Sequence, residues 1–394
     1  MKPRTYLDHA ATTRMLPQAQ DRWLEVSSLV GNPSSLHDSG RRTRRIVEEA
    51  RESIAEDLVT RPSAVIFTGG GTESDNLAVK GLFWRGQELG KVGVVASSIE
   101  HHAVLDPVKW IGEHQGAKVL WVGVDAVGRI NLDEVEAALA LQDVALVTVM
   151  WANNEVGTVQ PVYELAALCR AHGVAFHTDA VQVLGQLPMN LTELGASAVT
   201  ITAHKVGGPF GVGALILDPD IKPTPVLHGG GHEREIRSGT LDAAGIASFA
   251  VAVRSAVEHQ AQFAVRVKAL RNDLISRVLA SVPAAKLNGE PVLDADRRLP
   301  ANAHFTFDDC EGDALLMLLD AAGIDCSTGS ACTAGIPEPS HVLLAMGAEP
   351  QASRGSLRFS LGADSTTEEI DHLIEVLPAA VERASRAGHV RSRS

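Results

Sequence analysis

Three short segments of this 394-residue chain place residue types where chemistry is possible, and each follows an apolar run. The first is Gly69-Gly70-Gly71-Thr72-Glu73. Successive glycines let backbone N–H groups close around an anion, and the start of a following helix adds about half a positive charge. The same residues also suit a tight turn with Thr72 as a helix cap. The second is His177-Thr178-Asp179-Ala180-Val181-Gln182. A carboxylate ending a buried run is costly without a partner. A protonated ring nitrogen of a cofactor is one such partner, and capping a helix is the alternative role. The third is Thr202-Ala203-His204-Lys205-Val206-Gly207-Gly208. Lys205 stands between an apolar run and a glycine pair, where a partly desolvated amine has a lowered pKa and can form a Schiff base with an aldehyde.

Taken in order, an anion cradle, an acid and an amine on successive strand ends match the needs of pyridoxal 5'-phosphate. The cradle anchors the phosphate, the acid keeps the pyridine nitrogen protonated and the amine holds the aldehyde, so that the ring can store electrons from a carbanion. Two further segments could complete such a site. In Glu100-His101-His102 an imidazole could stack on the ring and move protons near neutral pH, or it could be a capping or core residue. In Asn153-Asn154-Glu155-Val156-Gly157 the amides could contact ring or substrate oxygens, or simply make a turn.

The elements that must hold these residues are legible as alternation. Residues 64–68, 93–97, 118–122, 145–150, 175–178 and 198–202 are Val- and Ile-rich runs bounded by Gly, Asp or Asn, and read as buried strands. Residues 215–217 add one more after the Gly-rich turn 207–213. Helix patterns at 75–84, 132–139 and 162–172 lie between them. The fold class is therefore α/β, a large domain with a mainly parallel sheet flanked by helices, whose site belongs at the carboxyl ends of the strands. A long helix is expected over 243–282, and beyond it strand 303–307, helix 312–322, strand 356–361 and helix 366–384 read as a smaller α+β domain. The expected division is 16–259 for the large cofactor-binding domain, with 1–15 and 260–394 forming the small one. The last ten residues are small, polar and basic and are expected to fray.

Composition removes several classes. Hydrophobic residues make up 45% and charged residues 21%, which excludes wholesale disorder. Acids outnumber bases 48 to 35, so a general nucleic-acid binder with a basic face is disfavoured. No apolar run reaches membrane-span length, and MKPRTYLDHA lacks the apolar core of a signal peptide, so a cytoplasmic protein is expected. The four cysteines, Cys169, Cys310, Cys326 and Cys332, form no CxxC pair, which argues against a disulfide scaffold or structural zinc. Cys169 reads as a small buried residue. Cys332 instead lies in a loop of Ser, Gly and Ala, 326–335, with little to pack.

These motifs together resemble the cysteine desulfurases of the NifS and IscS kind, within the class V aminotransferases. The resemblance runs from YLDHAATT (6–13) through GNPSS (31–35), TESDNLAVKG (72–81), EHHAVL (100–105), NNEVGTVQ (153–160), HTDAVQ (177–182), HGGGHE (228–233), RSGT (237–240) and GSACTAG (329–335) to SLRFSLG (356–362). It implies an aminotransferase-like fold and conversion of L-cysteine to L-alanine, with the sulfur carried as a persulfide on Cys332. Under it Lys205 carries the cofactor aldehyde, Asp179 pairs with the pyridine nitrogen, Gln182 touches the ring hydroxyl and His101 stacks on the ring. Gly71, Thr72, Thr202 and His204 hold the phosphate, and Thr240 does so from a neighbouring subunit, which implies a homodimer with shared sites. Asn154 and Arg358 receive the substrate carboxylate, and Cys332, Lys205 and His101 are the catalytic residues. The stretch after Cys332 resembles the long-loop group, and the sulfur acceptor implied is a protein such as an iron–sulfur scaffold. No membrane or direct nucleic-acid partner is expected. The alternatives are a selenocysteine lyase or another class V aminotransferase, and, from a different class, a non-catalytic scaffold on the same fold.

Overall fold

Short apolar runs that must bury both faces build the centre of the molecule. The computed structural model describes residues 4–141, 143–293, 296–329 and 339–391, with side chains through residue 386. A seven-stranded sheet runs in the spatial order Val65–Thr68, Gly213–Leu217, Ala198–Thr202, Ala175–Asp179, Val144–Thr148, Gly93–Ser97, Lys118–Val122. Gly213–Leu217 is antiparallel to both neighbours, and every other pairing is parallel. Adjacent residues in a strand point to opposite faces. Ile66, Val94 and Leu146 thus join one core with Leu77, Phe83 and Val108, whereas Phe67, Val95 and Val147 join a second with Ile54, Leu165 and Phe249. With helices over both faces, the interior strands can be continuous hydrophobic runs.

A second hydrophobic centre forms around a three-stranded antiparallel sheet, Ser356–Ser360, Asn302–Phe307 and Ala285–Leu287, where Phe305, Phe307 and Phe359 pack together. The amino-terminal strand Thr5–Tyr6 pairs in parallel with Ile324–Asp325 beside it. Residues 8–16 then cross to the larger sheet. Ala10 N–H donates to Ser360 Oγ at 2.8 Å, Thr13 N–H to the His204 carbonyl at 3.2 Å and Leu16 N–H to the Gly207 carbonyl at 2.9 Å. Among the described residues, no helix is long and apolar enough to cross a membrane.

Four expectations need correction. Lys118–Val122 is a strand, but it forms the sheet edge, with Lys118, Leu120 and Trp121 exposed rather than buried. The single helix expected over 243–282 is two, Ala243–Glu258 and Gln260–Ser281. The break falls at His259, where the backbone leaves helical values at φ −100° and ψ 1° and turns the chain between the two helices. The closing helix runs from Thr367 to Arg391, well past the point where fraying was expected. Finally, the helix after the glycine run starts at Gly71, with Gly70 at the cap position in a φ of +139° that suits glycine, so Thr72 lies inside the first turn and is not the cap.

Candidate active site

The carboxyl ends of the parallel strands converge on one cavity of about 220 Å³. It is lined by Gly71 and Thr72 from the first turn of Gly71–Glu88 and Asp75 just beyond it, by His101 and Ala103, and by Met150 and Asn154. Asp179 ends one strand with Val181 and Gln182 just after it, and Thr202 ends the next with His204 and Lys205 just after it. Of the residues singled out in the sequence, these include Gly71, Thr72, His101, Asn154, Asp179, Gln182, Thr202, His204 and Lys205. Arg358 and Thr240 are not among the lining residues, although Arg358 donates to the Asn154 carbonyl at 3.0 Å. Arg358 is buried in the small sheet, Thr240 is exposed, and Cys332 lies outside the described residues.

The glycine run is held in shape from outside. Glu73 accepts from Gly69 N–H at 2.7 Å, and the Arg237 guanidinium grips the same carboxylate at 2.6 and 3.1 Å. This satisfies an N-terminal donor and offsets the acid's charge beside the first turn. A Cβ on Gly71 would stand 3.2 Å from Val181 Cγ2, so glycine lets the helix start close to the cavity wall. Nearby, Glu233, Arg234 and Glu235 form a left-handed turn with φ of 47°, 57° and 64°. Its anchor is the Glu233 carboxylate, which accepts from Arg51 at 2.7 and 2.9 Å and from Phe67 N–H at 2.7 Å.

The floor of the cavity is acidic. Asp179 accepts from Val181 N–H at 2.8 Å, and burial together with the neighbouring Asp75 pushes its pKa up to about 7. Burial also raises Asp75 to about 7 and Glu100 well above the usual range. His177 stays neutral between the Thr148 and Thr200 hydroxyls, at 2.9 and 3.1 Å, because burial lowers its pKa to about 4. Asp179 therefore binds its proton more tightly folded than unfolded. Its contribution favours folding below about pH 4 and is lost as pH rises towards about 7. Accordingly Asp179→Asn, in the chain free of small-molecule ligands, should raise the melting temperature at pH 8 by roughly a few degrees. That advantage should shrink as pH falls towards 4; an equal shift at both pH values in a thermal-denaturation series would disprove the account.

The amine and imidazole are poised in the opposite sense. Burial first, then the charge of Arg358, lowers the pKa of Lys205 to about 8. Its Nζ donates to the Ala10 carbonyl and, at 2.8 Å, to the Ala11 carbonyl. Gln182 Nε2 reaches the same Ala10 oxygen at 3.0 Å. His101 Nδ1 accepts from Ala103 N–H at 3.1 Å, capping helix His102–Gln115. Burial lowers its pKa to about 4, so the ring is neutral and its remaining proton sits on Nε2. His102 faces elsewhere, towards Asp106 at 3.2 Å and the His341 ring.

Sequence reasoning missed two participants. Asp75 lies one turn into the helix after the glycines, where an acid normally faces water, and only the fold shows it buried in the cavity wall. Asp8 bonds Arg358 across 350 positions at 2.7 Å, a pairing that no local pattern announces.

Comparison with known proteins agrees with this geometry along almost the whole chain. Residues 5–373 match the family model described as Aminotransferase class-V. An "IscS-like cysteine desulfurase" of Mycobacterium tuberculosis is 53% identical over 385 residues, covering 97% of each chain. A "Cysteine desulfurase IscS" of Clostridium botulinum is 38% identical over 384 residues, covering 97% of this chain and 96% of that one. A solved NifS-like protein superposes with a TM-score of 0.88 at 33% identity, over 96% of this chain and all of the other. The chain belongs to the aminotransferase class-V family, among relatives of the IscS and NifS kind.

Proposed function

We propose that this protein is a pyridoxal 5'-phosphate-dependent cysteine desulfurase that converts L-cysteine to L-alanine and carries the released sulfur on Cys332. The observation that carries the reading is the convergence of Lys205, Asp179 and the first turn of Gly71–Glu88 on one cavity. The residues fit the cofactor. The helix start, with Thr72, Thr202 and His204 beside it, suits the phosphate. The buried Asp179 acquires the positive partner it lacks when it meets the protonated ring nitrogen. Gln182 and the neutral His101 line the space for the ring itself. When bound, pyridoxal phosphate supplies an electron sink for a carbanion at the substrate α-carbon.

The chain's own residues do the rest. With a pKa near 8, Lys205 Nζ is partly unprotonated at neutral pH, so it would hold the aldehyde and, once the substrate amine has replaced it there, would take the α-proton of L-cysteine. Arg358 and Asn154 receive the substrate carboxylate, Arg358 as a charged fork. The Cys332 thiolate attacks the substrate sulfur, so an S–S bond forms as the substrate C–S bond breaks. Protonation at the substrate Cβ, with His101 Nε2–H as the available donor, and return of the α-proton from Lys205 Nζ complete L-alanine and leave a persulfide on Cys332. Thr240 completes the phosphate site of a neighbouring subunit in a homodimer. A protein acceptor, such as an iron–sulfur scaffold, then takes the sulfur in the cytoplasm. Support for this reading comes from the relatives' names and from the cavity lining.

The deciding test is joint release of sulfide and alanine from L-cysteine by the purified, cofactor-supplied protein with a reductant. Equal yields are the expected result. Neither product from a protein that holds the cofactor would overturn the substrate assignment, and a much faster release of selenide from L-selenocysteine would favour the lyase.

A further inference from the structure

We propose that Asp8 is a positioning residue that lends its own carboxylate to Arg358 and exchanges it for the carboxylate of the substrate. The inference rests on the reading of Arg358 as the carboxylate receiver and deepens it. Arg358 lies in the middle of Ser356–Ser360, its side chain only 5% exposed and its backbone paired with His304 on one side and Ser327 on the other. The guanidinium is thus fixed, and its donors can be followed one by one. Nη1 donates to the Asn154 carbonyl at 3.0 Å, and Nη2 donates to Asp8 Oδ1 at 2.7 Å. Nε is buried and has no hydrogen-bond partner among the described residues.

An arginine fork binds a carboxylate through two parallel N–H groups. Here the Nε–Nη2 edge has one donor unused and the other shared with a single acid. Asp8 differs from Arg358 in being able to give way. Its side chain is 20% exposed, although its backbone is bridged to Ser360 and its carbonyl accepts from Ala11 and Thr12. An incoming carboxylate can therefore take Nε and Nη2 together while Asp8 turns to water, and Asn154 keeps the guanidinium in place. Charge replaces charge, so the buried cation is never left without an anion, which is strongly unfavourable. The exchange has a chemical consequence for selection. A substrate amine without a carboxylate has nothing to trade for Asp8, so the site discriminates through competition at Arg358 as well as through attraction.

The test compares Asp8→Asn, Asp8→Glu and Arg358→Gln in the cofactor-loaded protein. Binding of L-alanine is read from the change in cofactor absorbance, and KM from turnover of L-cysteine. With the competing charge removed, Asp8→Asn should bind L-alanine about three- to tenfold more tightly and lower the KM for L-cysteine similarly. The response to cysteamine, which lacks a carboxylate, should not change. Asp8→Glu, which keeps the charge, should return both constants towards wild type. Weaker binding of L-alanine and cysteamine alike in Asp8→Asn, or an Asp8→Glu variant indistinguishable from it, would mean that Asp8 only supports the fold and would overturn the proposal. Arg358→Gln separates the two levels. If it leaves L-alanine binding intact, the assignment of Arg358 itself fails; if it abolishes binding while Asp8→Asn does not tighten it, only the exchange fails.

Discussion

Lys205→Ala is expected to lower release of sulfide and alanine from L-cysteine by at least about 10²–10⁴-fold, the usual contribution of a positioned proton-transfer group. The variant should also lose the visible absorbance of a covalently held cofactor. The expectation follows from where the amine sits. Lys205 follows Ala198–Thr202 directly, in a short 3₁₀ turn, Ala203–Lys205. Burial and Arg358 bring its pKa to about 8, a full two units below an ordinary lysine. Among the described residues no other lysine lines the cavity, so none of them can substitute for it. Because the amine is held by the carbonyls of Ala10 and Ala11, its removal disturbs two hydrogen bonds and leaves the sheet untouched. A Lys205→Ala protein that stays coloured and turns over L-cysteine within tenfold of wild type would remove Lys205 from the mechanism.

Cys332→Ser is expected to abolish persulfide formation while cofactor binding stays at the wild-type level. A serine hydroxyl is a far weaker nucleophile than a thiolate at neutral pH. Cys332 lies outside the described residues, but the residues bracketing it are informative. A Cβ on Gly329 would stand 3.6 Å from the Glu155 Cβ, and Ser340 donates to Glu155 Oε2 at 2.5 Å. The chain therefore leaves and returns beside Glu155, the neighbour of Asn154 in the cavity wall. The other cysteines offer no substitute, because Cys169, Cys310 and Cys326 are buried and burial raises their thiols to about 12, 11 and 12. Mass spectrometry after one turnover should find an added sulfur on Cys332 in the wild type and none in the variant. Persulfide found in Cys332→Ser would transfer the carrier role elsewhere.

The framework was legible because burial on both faces forces near-continuous apolar strands, and because ligand groups gather where such strands end. That logic brings His101, Asp179 and Lys205 to one sheet edge, and all three line one cavity. It failed where the answer depended on neighbours. The run 118–122 is as apolar as an interior strand, yet nothing in it tells that no further strand lies beyond, so Trp121 faces water. Residues 243–282 have helical periodicity throughout, and the break is one residue, His259, whose departure to φ −100° and ψ 1° no local pattern marks. The acid clamp on Arg358 depends on residue 8 and residue 358 meeting in a strand neighbourhood that the fold creates. Local patterns identify groups with chemical potential, whereas pairings between distant segments set their charge.

The left-handed turn at Glu233–Glu235 also bears on the order of events during folding. Non-glycine residues in that conformation are disfavoured by roughly 1–2 kcal/mol each, so the turn has no independent tendency to form. Its three fastenings come from Arg51 and Phe67, separated from Glu233 by 182 and 166 positions. Contacts between such distant segments carry a larger loop-closure cost than local ones, so the turn is expected to close after the helix Asp38–Asp57 and the sheet have formed. Residues 237–240 follow directly behind it and are expected to take up their places with it.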